Sequence, residues 1–268
     1  MAPALTALSA ACLVWWLSTG VILVAVRLAE RGGQRAGVLM AIAALPLPLL
    51  GVWGLWASLT QLTVQGAYTG FLSALALWAW CELAFLSGTV TGPVRSACPP
   101  GLGGWRRFRR AWGTVAHHEV LLAVLVVLVV ELCRNAPNAV GMWTLLILYF
   151  ARVSAKLNLF LGVAHANTEF LPRQLSHLSS HFGTARLNWL FPVSITLMTF
   201  AFACFIERLI DAGIPGAEAG FALLAALTAL ALLEHWFLIL PWPDAKLWRW
   251  MLPKPDAERR ENCYGVDP

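Results

Sequence analysis

The chain has 268 residues, of which 59% are hydrophobic and only 12% charged, with a mean hydropathy of +0.69. Soluble domains carry about 25% charged residues, so this composition excludes an ordinary soluble domain and implies an all-α, polytopic membrane protein. The net charge of +5 is modest, and it reflects cations placed against lipid rather than a nucleic-acid partner.

A membrane span needs about 20 apolar residues. Seven runs qualify: Leu5–Val26, Val38–Leu59, Tyr68–Leu86, Val115–Leu132, Val140–Val163, Trp189–Ile210 and Ala219–Leu240. The first has no basic segment before it and is long enough to span, which predicts a retained helix rather than a cleaved signal peptide. Pro46 and Pro48 should kink the second, because proline removes a ladder donor and clashes with the preceding turn. The six cysteines form no CxxC pair and no metal spacing; most lie in apolar runs, where a free thiol behaves as a small hydrophobe.

Orientation follows from the cations. Of the 19 Lys and Arg residues, all but Arg134 and Arg208 fall on one side of this seven-helix scheme. By the positive-inside rule the N-terminus is expected outside and the C-terminus in the cytoplasm. Residues 1–240 then form the transmembrane helical domain, with a cytoplasmic amphipathic segment at about 165–188. Residues 241–268 form an interfacial and disordered cytoplasmic tail. Trp105, Trp112, Trp189, Trp242, Trp248 and Trp250 lie near predicted helix ends, as in an aromatic belt. The run Trp105–Arg110 sits in a Gly/Pro-rich loop, and Arg106, Arg107, Arg109 and Arg110 are expected to meet anionic lipid at the membrane surface.

The stretch from Asn158 to Pro192 is neither plainly spanning nor plainly a connecting loop. It carries His165, His177 and His181 with Glu169. His117 and His118, followed by Glu119, should open the fourth helix, and His235 falls near the end of the seventh. All six histidines thus lie on one face of the scheme. On a helix, His165/Glu169 and His177/His181 are i, i+4 pairs sharing a side. Neutral imidazole and carboxylate are the donors that hold iron or zinc. His118, Glu119, His165, Glu169, His177 and His181 therefore form a candidate metal set, with Glu82, His117, Asn158, Asn167, Glu234 and His235 around it or facing a substrate. Glu82 and Glu234 lie within spans, where an ionisable group is costly and marks a functional position by default. The set does not match the HxxxH, HxxHH, HxxHH boxes of membrane desaturases and hydroxylases. Histidine could equally ligate a tetrapyrrole magnesium or iron. After Pro172, Leu175, Leu178 and Phe182 recur with Phe170 and Leu171 at roughly helical intervals, which predicts an amphipathic helix along the membrane face.

The run KLNLFLGVAHANTEFLPRQLSHLSSHF, followed by LNWLFPVSITL, resembles the photosynthetic complex assembly protein 2 family, whose gene lies among the reaction-centre assembly genes of purple bacteria. Chain length, helix number and the HHE motif match as well. The resemblance implies a multi-pass protein of the bacterial inner membrane, cytoplasmic or intracytoplasmic. It implies a non-enzymatic role in assembling the reaction centre or light-harvesting complex, or in bacteriochlorophyll supply. The partners so implied are the lipid bilayer, reaction-centre or light-harvesting polypeptides, and a tetrapyrrole such as bacteriochlorophyll or its precursor. It transfers no catalytic residues. The alternative is a membrane metalloenzyme, an oxidoreductase or hydrolase, using the His/Glu set on a pigment precursor or lipid.

Overall fold

The computed structural model describes residues 2–166, 168 and 171–241. Eight α-helices run through them: α1 (Ala2–Arg31), α2 (Gly33–Ala43), α3 (Pro46–Ser58), α4 (Val64–Leu86), α5 (Gly104–Cys133), α6 (Val140–Leu161), α7 (Leu190–Ile210) and α8 (Pro215–Phe237). A 3₁₀-helix, Arg173–His181, lies between α6 and α7. Among the described residues there is no strand, only an isolated bridge between Gly162 and Thr184. Taking α2 and α3 as one broken span, seven helical segments are long and apolar enough to cross a membrane.

The break between α2 and α3 has the expected cause. Pro46 opens α3 and has no N–H to donate back into α2, while Leu45 N–H bonds to Ile42 O, three residues back. That leaves the Ala41 carbonyl free of its usual partner, and the Trp80 indole of α4 donates to it at 3.0 Å. A backbone group unpaired inside a bilayer costs several kcal/mol, so this indole holds the break in place.

The helices α4 and α8 are the most deeply buried spans, with α3, α6 and α1 packed around them. Their contact is built from small residues with a few large ones between: Ala67 and Phe71 of α4 meet Ala219, Ala222, Leu223 and Leu224 of α8. Lipid is as apolar as leucine, so helices in a membrane associate through close packing of this kind rather than through expulsion of water. The crossing of α4 and α6 shows how close it is. A Cβ on Gly141 would sit 2.8 Å from Gly70 O and 2.3 Å from Leu55 Cδ2.

Two expectations are corrected. The α5 helix starts at Gly104, not near Val115, because no proline interrupts residues 101–136 and the run from Trp105 is free to wind. The Arg/Trp run is therefore its first two turns and not a loop, and His118 and Glu119 sit mid-helix. The segment after Pro172 is helical but of 3₁₀ type. Residues four apart then point about 120° apart, since the repeat is 3.0 residues per turn, so His177 and His181 do not share a face. The expected tail at 241–268 lies outside the described residues beyond Pro241.

Candidate functional site: a charged cluster under an apolar cavity

Arg152 and Lys156 are four residues apart on α6, hence on one side of it. Each reaches a carboxylate from a neighbouring helix. Arg152 Nη2 donates to Glu82 Oε2 of α4, and Lys156 Nζ donates to Glu119 Oε1 of α5. Both carboxylates are buried, with 7% and 5% of the side chain exposed. Between the pairs lies His118, wholly buried, its ring packed on Phe85 at 4.4 Å between centroids. Its Nε2 stands 3.7 Å from Glu82 Oε1, beyond hydrogen-bond reach. Among the described residues neither ring nitrogen of His118 has a partner. Lys156 Nζ also lies 5.0 Å from the centre of the Phe85 ring, so one aromatic ring bridges imidazole and ammonium.

A second polar patch lies on the same helix. Ser154 Oγ is 2.8 Å from Ser194 Oγ of α7 and 3.0 Å from His235 Nε2 of α8. Asn158 donates to Ser154 O at 2.9 Å and to Ser194 Oγ at 3.0 Å. His235 Nδ1 lies 2.8 Å from Ala231 O, which can only accept, so Nε2 is the acceptor facing Ser154.

Beyond α6 the chain doubles back under tight control. Gly162 takes a φ of +117°, which an L side chain rarely adopts, and a Cβ there would fall 2.5 Å from Ala185 N. Asn188 Nδ2 donates to Gly162 O at 2.7 Å, and its Oδ1 accepts from Leu190 N and Phe191 N, the first free donors of α7. Arg107 of α5 donates to His181 O at 2.8 Å and lies 4.6 Å over the Phe160 ring. Arg110 donates to Ser96 Oγ at 2.7 Å. Two of the four arginines expected on the membrane surface are thus tied to the connections, while Arg106 and Arg109 are exposed.

These elements line a half-open cavity of about 210 Å³ between α4, α5, α6 and the 3₁₀-helix. Phe85, Phe108, Trp112 and Leu178 contribute apolar wall, while Glu119, Arg152, Lys156 and His181 supply polar groups. A second cavity of about 350 Å³, holding Glu82 and Glu234, shares Leu86, Arg152 and Leu171 with the first.

The structure thus brings His118, Glu119 and Glu82 together and sets His181 in the wall of the cavity that Glu119 also lines. His177 is half-buried on the 3₁₀-helix; His117 and His165 are exposed, the latter following α6 in non-helical chain with its N–H on Leu238 O. Asn158 and His235 belong to the separate serine patch, and Glu234 to the second cavity. Asn167 and Glu169 lie outside the described residues. Among the described residues no group of three or more His, Cys, Asp or Glu side chains is placed to hold a metal. Burial pushes the imidazoles of His177 and His181 below their ordinary range, which favours their neutral form.

Arg152, Lys156 and Asn188 escaped the sequence reading. The first two were counted with the flanking cations, although an i, i+4 Arg/Lys pair within an apolar helix signals buried partners. Asn188, directly before an apolar run, carries a helix-start signal.

No solved structure matches the chain. An uncharacterized 30.4 kDa protein in the puhA 5′ region of Rhodobacter capsulatus is 52% identical over 240 residues, covering 90% of this chain and 88% of that protein. A family model described as protein of unknown function, DUF3623, matches residues 1–259. The chain therefore belongs to the DUF3623 family.

Proposed function

We propose that this protein is a non-enzymatic assembly factor of the bacterial inner membrane, serving the reaction centre, the light-harvesting complex or their bacteriochlorophyll supply. The observation that carries the reading is the relative named for its position 5′ of puhA, taken with the resemblance to a family whose gene lies among reaction-centre assembly genes. The site chemistry supports it. Both buried carboxylates are taken up by cations of α6. The α7 helix leaves Val193, Leu197 and Phe200 exposed at 44%, 64% and 69%. At i, i+4 and i+7 they form one apolar stripe, suited to lipid or to a partner's transmembrane helix.

The test is a deletion strain complemented with the wild-type chain or with a variant carrying Arg at Leu197. The proposal expects loss of reaction-centre or light-harvesting absorbance on deletion, restored by wild type but not by Leu197→Arg. Unchanged pigment-protein spectra in the deletion strain would refute it.

The alternative is a metalloenzyme using His118, Glu119, His165, Glu169, His177 and His181 on a pigment precursor or lipid. His118, with two unpartnered ring nitrogens, is its best support. It requires near-stoichiometric iron or zinc in protein purified from native membranes, lost in a His118→Ala variant.

A further inference from the structure

The larger cavity, of about 350 Å³, lies within the spans between α1, α4, α6 and α8. Its wall is mostly apolar, yet Glu82, Glu234 and Arg152 belong to it. Arg152 Nη2 is bonded to Glu82 Oε2, which closes one pair inside the wall. The charge of Arg152 is felt at Glu234 as well, so one guanidinium serves two carboxylates. Lys156, the other cation of this part of α6, is taken by Glu119 and does not line this cavity. Two carboxylates against one cation leave the ionised lining one negative charge in excess, however the pairs are drawn.

Glu234 is where a guest can meet that excess. Glu82 is 5% exposed and committed to Arg152, whereas Glu234 is exposed and lines the cavity. Among the described residues Glu234 belongs to none of the ion pairs. Its protein partner is the Trp15 indole, which donates a hydrogen bond to it. That is one neutral donor for a carboxylate whose two oxygens accept at about four positions. An ionisable group inside a span is costly and calls for a partner. Here the protein supplies a hydrogen bond but no second cation.

From this lining we infer that the cavity binds a hydrophobic primary amine, its ammonium on Glu234 and its apolar body among Leu75, Trp78, Ile147 and Leu227. The ammonium brings the missing positive charge and three N–H donors to a carboxylate with acceptor sites to spare. Trp15 and Trp78 stand in the same wall, and indole is the side chain that attracts a cation most strongly. An alcohol would donate one hydrogen bond and leave the charge unmet. A carboxylic acid would add a third carboxyl group beside Glu82 and Glu234. Volume permits the body: about 150 Å³ holds a benzene molecule, so this larger space takes two rings or a medium alkyl chain. The site goes beyond the assembly reading and does not depend on it.

The test is photo-crosslinking of the full chain in phosphatidylcholine nanodiscs at pH 7, using octylamine with a diazirine at mid-chain, followed by peptide mapping. The proposal expects labelling concentrated on residues 15–23 and 147–155, which line the cavity. At equal membrane concentration, octylamine should suppress it at least 10-fold more effectively than octanol or octanoic acid. Glu234→Gln, which keeps the size and an acceptor for Trp15 but removes the charge, should weaken labelling at least 10-fold. Ala151→Phe, which fills the space, should abolish it. Added phosphatidylethanolamine competes if the site takes a lipid ammonium and leaves labelling unchanged if it takes a free amine. Octanol matching octylamine on the wild-type chain overturns the assignment, since the excess charge is then met by a proton on the carboxyl group. So does stronger competition by octanoic acid, or labelling indifferent to Glu234→Gln.

Discussion

Replacing Lys156 by Met removes the partner of Glu119 while keeping most of the apolar stem. Breaking a buried ion pair by deleting one member costs about 3–5 kcal/mol, because the survivor is left charged in an apolar setting. The structure refines this figure. Glu119 is the deeper partner, with 5% of its side chain exposed against 22% for Lys156, so the variant strands the worse-placed charge. Lys156→Met should therefore destabilise by about 4 kcal/mol. Glu119→Gln strands an ammonium on a flexible stem, with the Phe85 ring beside it and partial access to solvent, and should cost about 2 kcal/mol. With both charges gone the double variant should lie within about 1 kcal/mol of wild type. The assay is unfolding by SDS titration in mixed micelles at pH 7, followed by tryptophan emission. Costs of the single variants that add in the double variant to within about 0.5 kcal/mol would refute a coupled buried pair.

Further predictions follow from the same geometry. Gly141→Ala drives a methyl into Gly70 O and Leu55 and should cost about 1–3 kcal/mol in that titration, whereas Gly103→Ala, with open space around it, should leave the midpoint unchanged. Arg107→Ala frees the carbonyls of Phe160 and His181; hydrogen exchange should quicken across 173–189 while α4 and α8 stay protected. His177 and His181 have imidazoles pushed below 6.5 by burial. The unfolded chain thus binds more protons than the folded one just below that value, and the stability of the 173–189 connection should fall as pH drops from 7.5 to 5.5. Hydrogen exchange at the two pH values reads it, and His181→Phe should lessen the change.

Much of this architecture was legible in the sequence, for a physical reason. Seven apolar runs and a double proline report directly on lipid and on the helix ladder, and lipid forces every backbone group into helix. The start of α5 was not legible, because arginine and tryptophan read as interface and wind equally well into helix. The 3₁₀ geometry of Arg173–His181 was hidden as well. Apolar spacing near three residues does not separate 3₁₀ from α in so short a piece, and the tie from Arg107 comes from a helix more than 60 residues away. The candidate site was half visible. Glu82 stood out as a costly residue within a span, and His118 and Glu119 as candidate ligands, but Arg152 and Lys156, the partners of the two glutamates, were assigned to the flank because α6 was not placed against α4 and α5. Pairing across helices is a tertiary property, and a one-dimensional charge count does not contain it.

The most direct measurement of the central proposal is affinity purification of the tagged full chain from phototrophically grown cells in mild detergent, after in vivo crosslinking, with quantitative mass spectrometry and metal analysis of one sample. An assembly factor predicts reaction-centre or light-harvesting polypeptides enriched at least 10-fold over other multi-pass inner-membrane proteins, with no stoichiometric iron or zinc. Near-stoichiometric metal without such enrichment would contradict the account and favour the metalloenzyme.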